Sequence, residues 1–143
     1  MPIRRAVPDH AHALAPLLGE LGYPTSAEAV ATRFARLADS ENDPAWVAVD
    51  PDDEEVLLGF AAGHLFWPYE LDAPVAELTA LVVTERRRGT GSGRALVAAF
   101  EEWAKAAGCC RVTVASSVRR TGAHAFYERL GYEQLSKKFD KQF

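Results

Sequence analysis

VAELTALVVTERRRGTGSGRALVAAFEEWAKAA, residues Val75 to Ala107, decides the reading of this chain. Val75 to Val83 is rich in aliphatic and β-branched residues and predicts a strand. A basic run, Arg86-Arg87-Arg88, leads into Gly89-Thr90-Gly91-Ser92-Gly93. Leu96, Phe100, Trp103 and Ala107 then recur at spacings of four, three and four, the signature of one helical face. Strand, glycine loop and helix start make an anion site. First-turn N–H groups have no intrahelical acceptor, and the helix dipole favours negative charge there. Glycine lets backbone approach an anion closely, and arginine adds a fork of donors suited to phosphate.

Two common phosphate motifs do not fit. A dinucleotide fingerprint needs G-x-G-x-x-G and an acid about 20 residues on. Here the third glycine comes one residue early, and Cys109 and Cys110 occupy the region of the acid. A P-loop needs G-x-x-x-x-G-K-[ST], which the chain lacks. What remains is R-x-x-G-x-G, at Arg88, Gly91 and Gly93. The plain alternative is a glycine-rich connection beside a solvated basic run.

Composition bounds the rest. A chain of 143 residues predicts one domain, 1–143, with room for a real core. Hydrophobic residues at 48% and charged residues at 25% match ordinary globular usage. A net charge of −4 argues against a general nucleic-acid binder. No apolar run approaches a membrane span, and MPIRRAVPDH lacks the apolar segment of a signal peptide, so a cytoplasmic protein away from membranes is expected. The only cysteines, Cys109 and Cys110, are adjacent. Neighbours on a strand face opposite ways, so no metal pair is expected and small-hydrophobe packing is.

From the N-terminus, Pro2 to Val7 predicts an edge strand, and Asp9 a cap for a helix carrying Leu14, Leu17 or Leu18, and Leu21. Pro16 should kink that helix or delay its start. Thr25-Ser26 caps a second helix with Ala27, Val30, Phe34 and Leu37 on one face. Trp46–Val49 and Val56–Phe66 predict a hairpin, the second strand weakened by Gly59 and Gly63. After the central helix, Cys110–Ala115 predicts a strand and Ala123–Leu130 a short helix. Tyr132–Phe143 is expected to add a last strand. The layout is mixed α/β (α+β), with a strand–helix–strand unit in its second half.

The glycine phrase between its strand and helix resembles the acyl-CoA-binding motif of the GNAT superfamily of N-acyltransferases. Ala123-His124-Ala125-Phe126-Tyr127-Glu128-Arg129-Leu130-Gly131-Tyr132 resembles that family's C-terminal signature, an aromatic-Tyr pair followed by Leu-Gly-aromatic. Two motifs roughly 35 residues apart, in the right order and on matching elements, are far more specific than either alone. The resemblance implies a mixed central sheet with helices on both faces. Its cleft would open between two parallel strands, Val75–Val83 and Cys110–Ala115, and hold acetyl-CoA as co-substrate, with no metal.

Roles carried over by the resemblance are specific. Arg88, Gly89, Thr90, Gly91, Ser92 and Gly93 match the pyrophosphate loop, with Arg94 at its end. Leu81, Val82 and Val83 match the strand end whose backbone pairs with the pantetheine arm. Tyr127 matches the general acid near the CoA sulfur. Where many members have an asparagine three residues before Ala123, this chain has Arg120, so contact from that loop is not carried over. Glu77, counted by twos onto the face of Thr79 and Leu81, is the candidate base, ahead of His64 and His124. Trp67, Tyr69 and Tyr23 are candidate pocket aromatics. The expected function is transfer of acetyl from acetyl-CoA to a primary amine; the alternative is a CoA-binding regulatory module without turnover. Acids at Asp50–Glu55 and Glu70–Asp72 suit a cationic small molecule such as a polyamine or aminoglycoside; peptide amines also fit. A homodimer is compatible with this reading.

Overall fold

The computed structural model describes residues 2–87, 90–115 and 121–143. The chain begins with strand β1 (Ile3–Arg5), a 3₁₀ turn (Pro8–His10), and helices α1 (Ala11–Leu21) and α2 (Ala27–Leu37). Strands β2 (Ala45–Asp50), β3 (Asp53–Phe66) and β4 (Val75–Val83) follow, then a 3₁₀ turn (Glu85–Arg87) and helix α3 (Ser92–Ala106). Strand β5 (Arg111–Val114) and helix α4 (Thr121–Arg129) complete the described elements. The strands form one sheet in chain order, antiparallel except for β4 and β5, which run parallel.

Helix ends obey local chemistry, with one departure. The Ser26 hydroxyl accepts the Ala29 N–H at 3.1 Å and caps α2 as expected. Asp9 does not cap α1. The His10 ring does the local work instead, its Nδ1 accepting the Val7 N–H at 3.0 Å, and burial lowers the His10 pKa. Pro16 lies inside α1 without ending it, the helix having started after the 3₁₀ turn.

Two cores sandwich the sheet. On one face, Val47, Val49, Leu57, Phe60 and Val82 pack with Leu14, Leu17 and Val30 from α1 and α2. On the other, Trp46, Leu58, Ala61, Ala76 and Leu78 pack with Leu96, Val97, Phe100 and Ala104 of α3. Trp46 meets Phe100 and Trp103 edge-on, with ring centroids 6.2 and 5.9 Å away.

Gly59 and Gly63 do not simply weaken β3. A Cβ on Gly63 would lie 2.9 Å from the Phe100 ring, and one on Gly59 would lie 2.9 Å from Leu96 Cδ1. They are where α3 lies against the sheet. A side chain at Gly63 would have to displace the buried Phe100 ring of α3.

The expected last strand is absent: Tyr132–Phe143 forms no strand, and the sheet of the described residues ends at β5. Leu135, Phe139 and Phe143 are spaced by four rather than by two and stand exposed among lysines. Period-two burial, which drives a strand onto a core, is missing from this segment.

Candidate active site

Strand β4 is longer than its parallel neighbour β5. Val75, Ala76, Glu77 and Leu78 pair with Arg111, Val112, Thr113 and Val114 of β5. Beyond Leu78, β4 continues to Val83 with no strand beside it on that side among the described residues, while β3 stays paired on the other. β4 therefore outruns β5, leaving a stretch of sheet edge along which an extended ligand arm can add. Leu81, Val82 and Val83 lie on this stretch.

The turn that follows is shaped for an anion. Gly91 precedes α3 with φ +91°, a backbone conformation that costs other L-residues energy. The first helical bond of α3 runs from Ala95 N–H to Gly91 O at 3.0 Å, so Ser92, Gly93 and Arg94 carry the N–H groups without helical acceptors. Ser92 is buried, its Oγ 3.2 Å from Thr90 Oγ1, while the Arg94 side chain is exposed. Gly93 sits where a Cβ would come 3.3 Å from Phe126 Cζ and 3.6 Å from Val83 Cγ2. Its bareness lets β4, α3 and α4 converge. Arg88 and Gly89 of the predicted loop lie outside the described residues, as do Arg119 and Arg120.

Tyr127 is half-buried on α4 against the α3-side core. Its ring meets Phe126 and Tyr132 edge-on at 5.3 and 5.9 Å. The Tyr132 hydroxyl donates to Glu101 Oε2 at 2.8 Å, and burial together with that carboxylate pushes its pKa well up. Tyr132 is thereby held protonated between α3 and α4 and props the Tyr127 ring. No spacing in the sequence announces this support, because Glu101 and Tyr132 lie 31 residues apart.

Glu77 is not where counting by twos puts it. The β3–β4 register slips between Ala62↔Ala80 and Gly63↔Leu78, leaving Thr79 as the extra residue of a bulge. The Thr79 hydroxyl donates to Ala62 O at 3.2 Å across it. Glu77 therefore shares the α1–α2 face with Ala80 and Val82, not with Leu81, which packs toward α3. Tyr127 and Glu77 thus lie on opposite faces of the sheet.

The other candidates separate in the same way. His64, the β3 partner of Glu77, has its Nδ1 2.7 Å from Asp43 Oδ1. His124 lies half-buried on α4. In the acidic hairpin Glu54 is committed to Arg4 at 2.8 Å, which lowers its pKa, and the hairpin lies at the far end of β3 from His64. Tyr23 and Tyr69 stand exposed. Trp67 lines a hollow of about 480 Å³ with Arg5, Asn42, Leu65 and Trp103, near the C-terminal end of α3 and away from the glycine turn. Cys109 is half-buried, its pKa raised by burial and then by Cys110, which is exposed. Among the described residues no group of three or more His, Cys, Asp or Glu could hold a metal ion, and no helix is long and apolar enough to cross a membrane.

Residues 12–132 match the model of the acetyltransferase (GNAT) family. The chain belongs to that family. This acetyltransferase is 34% identical over 139 residues to an aminoglycoside N(6')-acetyltransferase type 1 of Stenotrophomonas maltophilia, covering 94% of this chain and 88% of the relative. An aminoalkylphosphonate N-acetyltransferase of Salmonella typhimurium is 37% identical over 85 residues, 59% of this chain and 55% of that protein. Among solved structures, glucosamine-6-phosphate N-acetyltransferase from Arabidopsis thaliana superposes with a TM-score of 0.86 at 21% identity, over 99% of this chain and 97% of that one. An aminoglycoside N-acetyltransferase in complex with CoA gives 0.85 at 20% identity, over 99% and 93%. These structural likenesses establish the fold.

Proposed function

We propose that this acetyltransferase moves the acetyl group of acetyl-CoA to a primary amine of a small cationic acceptor by direct attack, with Tyr127 as general acid. The observation that carries the reading is the run of β4 past its β5 partner into the Gly91 turn and the start of α3. The residues present suit CoA: an open strand edge for the amide-bearing arm, and a bare helix start with Thr90, Ser92 and Arg94 for the pyrophosphate. Arg88 and Gly89 belong to the same proposed loop. When bound, acetyl-CoA supplies an activated acetyl thioester. The chain's own work is to hold that arm, to bring up the amine, and to move protons at named atoms. Tyr127 Oη gives its proton to the departing sulfur, and Glu77 draws the acceptor's ammonium group and helps remove its proton.

An aminoglycoside-like polyamine is the favoured acceptor class. It is supported by the relative of 34% identity that spans most of this chain. The acidic residues Asp43 and Glu77, on either side of His64 on β3, suit a cation of that kind. Kanamycin, spermidine, 2-aminoethylphosphonate and a lysine-bearing peptide, each incubated with acetyl-CoA and assayed for released thiol, test it. Release with kanamycin above the no-acceptor rate is expected. Release with none of them overturns the N-acetyltransferase reading.

A further inference from the structure

A row of polar residues crosses the sheet on its α1–α2 face and ends at β5. Asp43 opens it, His64 follows on β3, and Glu77 on β4 is the register partner of both His64 and Thr113 of β5. Elsewhere this face is apolar and covered by helices; here it is polar and partly open. The row is held by backbone on either side of the Asp43–His64 contact. Gly63 N–H donates to Pro44 O at 2.9 Å and Leu65 N–H to Asn42 O at 2.8 Å, so the chain before β2 is zipped along β3 with Asp43 set against His64. The Ser40 hydroxyl donates to Asp43 Oδ2, and this bond, ahead of the His64 contact, lowers the Asp43 pKa. The Phe66 ring stacks on the imidazole at 6.2 Å.

An ionised carboxylate only accepts hydrogen bonds, so Nδ1 of His64 must carry a proton toward Asp43. Neutral His64 then presents Nε2 as a lone pair, with Asp43 ready to stabilise the imidazolium. We propose that Asp43, His64 and Glu77 form the acceptor-amine site, with His64 Nε2 as the atom that takes the ammonium proton. This rests on the N-acetyltransferase reading above and adds a catalytic residue to it. Glu77 receives the cationic group. The R–NH₃⁺ proton passes to Nε2, and the freed nitrogen lone pair attacks the thioester carbonyl carbon. The C–S bond breaks with its electron pair on sulfur, which Tyr127 protonates. The surplus proton of the new amide nitrogen returns to the tyrosinate through solvent, and His64 gives its own to bulk water. Among the described residues, Asp43 and Glu77 are the titratable groups that face His64 from the neighbouring chain segments.

The test compares the parent with His64→Gln and Asp43→Asn, using the best acceptor of the four amines above between pH 6 and 10. With acetyl-CoA affinity unchanged by calorimetry, His64→Gln is expected to lower kcat/KM by roughly 10²-fold near neutral pH. The deficit should shrink as rising pH supplies free amine, and added imidazole should restore part of the rate. Asp43→Asn should show a smaller loss of the same pH shape. A His64→Gln profile that overlays the parent overturns the proposal, as does a loss uniform across pH without imidazole rescue, which marks a packing residue. A parent that binds acetyl-CoA and releases thiol with no amine overturns the N-acetyltransferase reading itself, and this site with it.

Discussion

The two faces of β4 use opposite materials. Toward α3, the contacts are made by missing side chains: Gly59, Gly63 and Gly93 let helix and strands close to van der Waals distance, and Gly91 turns the chain into the helix. Toward α1 and α2, the end of β4 near Val82 is buried, while the end at Glu77 carries the Asp43–His64 pair in a partly open strip. The α3 side is a backbone device. It presents N–H groups and a strand edge, and tolerates almost no change of side-chain volume. The opposite side is a side-chain device, set by register and by the Thr79 bulge, and it can vary in chemistry without disturbing the sheet. A fold built this way keeps its α3 side nearly constant in volume and leaves the other side free to vary.

The largest break in that contrast should come from Gly91→Asp. Among the described residues nothing lies within 4 Å of an added Cβ, so the substitution meets no packed core. The positive φ is nevertheless strained for a side chain, and a carboxylate enters the anion site. Acetyl-CoA affinity is expected to fall by roughly 10²-fold or more, the scale of several charge-assisted hydrogen bonds. Unchanged affinity in calorimetry would separate this turn from CoA binding.

Tyr127→Phe comes next. The ring contacts with Phe126 and Tyr132 are kept and only the hydroxyl is removed. Turnover is expected to drop roughly 10²-fold with acetyl-CoA affinity nearly constant. Turnover equal to the parent would reduce Tyr127 to a packing residue.

Gly63→Ala sharpens the claim that α3 packs on absence. Its Cβ would stand 2.9 Å from the Phe100 ring, and relief requires moving a buried aromatic. Overpacking of this kind costs about 1–3 kcal/mol, read as a lower midpoint in chemical denaturation. A midpoint equal to or above the parent would mean that α3 is not held at that distance.

The smallest effect is expected from Tyr132→Phe, which deletes the bond to Glu101. A loss of about 0.5–1.5 kcal/mol is expected near neutral pH. The folded pKa of Tyr132 lies above its unfolded value of about 10, so this contribution is complete below pH 10 and fades as pH rises toward the folded value. Parent and variant should therefore converge in strongly alkaline solution, and a gap that widened there would contradict the sign.

The chain alone settled what depends on neighbours in sequence. Period-two and period-four burial placed the strands and helices, Ser26 placed a cap, and the order strand, glycines, helix start placed the glycine turn that opens α3. Such features are set by backbone sterics and by which side of a short segment is apolar, and both are visible in consecutive residues. The sheet's assembly decided the rest. The Thr79 bulge moved Glu77 to the face opposite Leu81, and no local rule announces one extra residue between two ladders. Asp43 and His64 meet because the chain entering β2 is zipped along β3, and Tyr132 reaches Glu101 because α4 folds back on α3. The tail's apolar residues recur by four and not by two, so no strand face binds them to the sheet, and they stand exposed. Local propensity is written residue by residue, whereas a site shared by distant segments exists only once loop-closure entropy has been offset by the packing of a complete core.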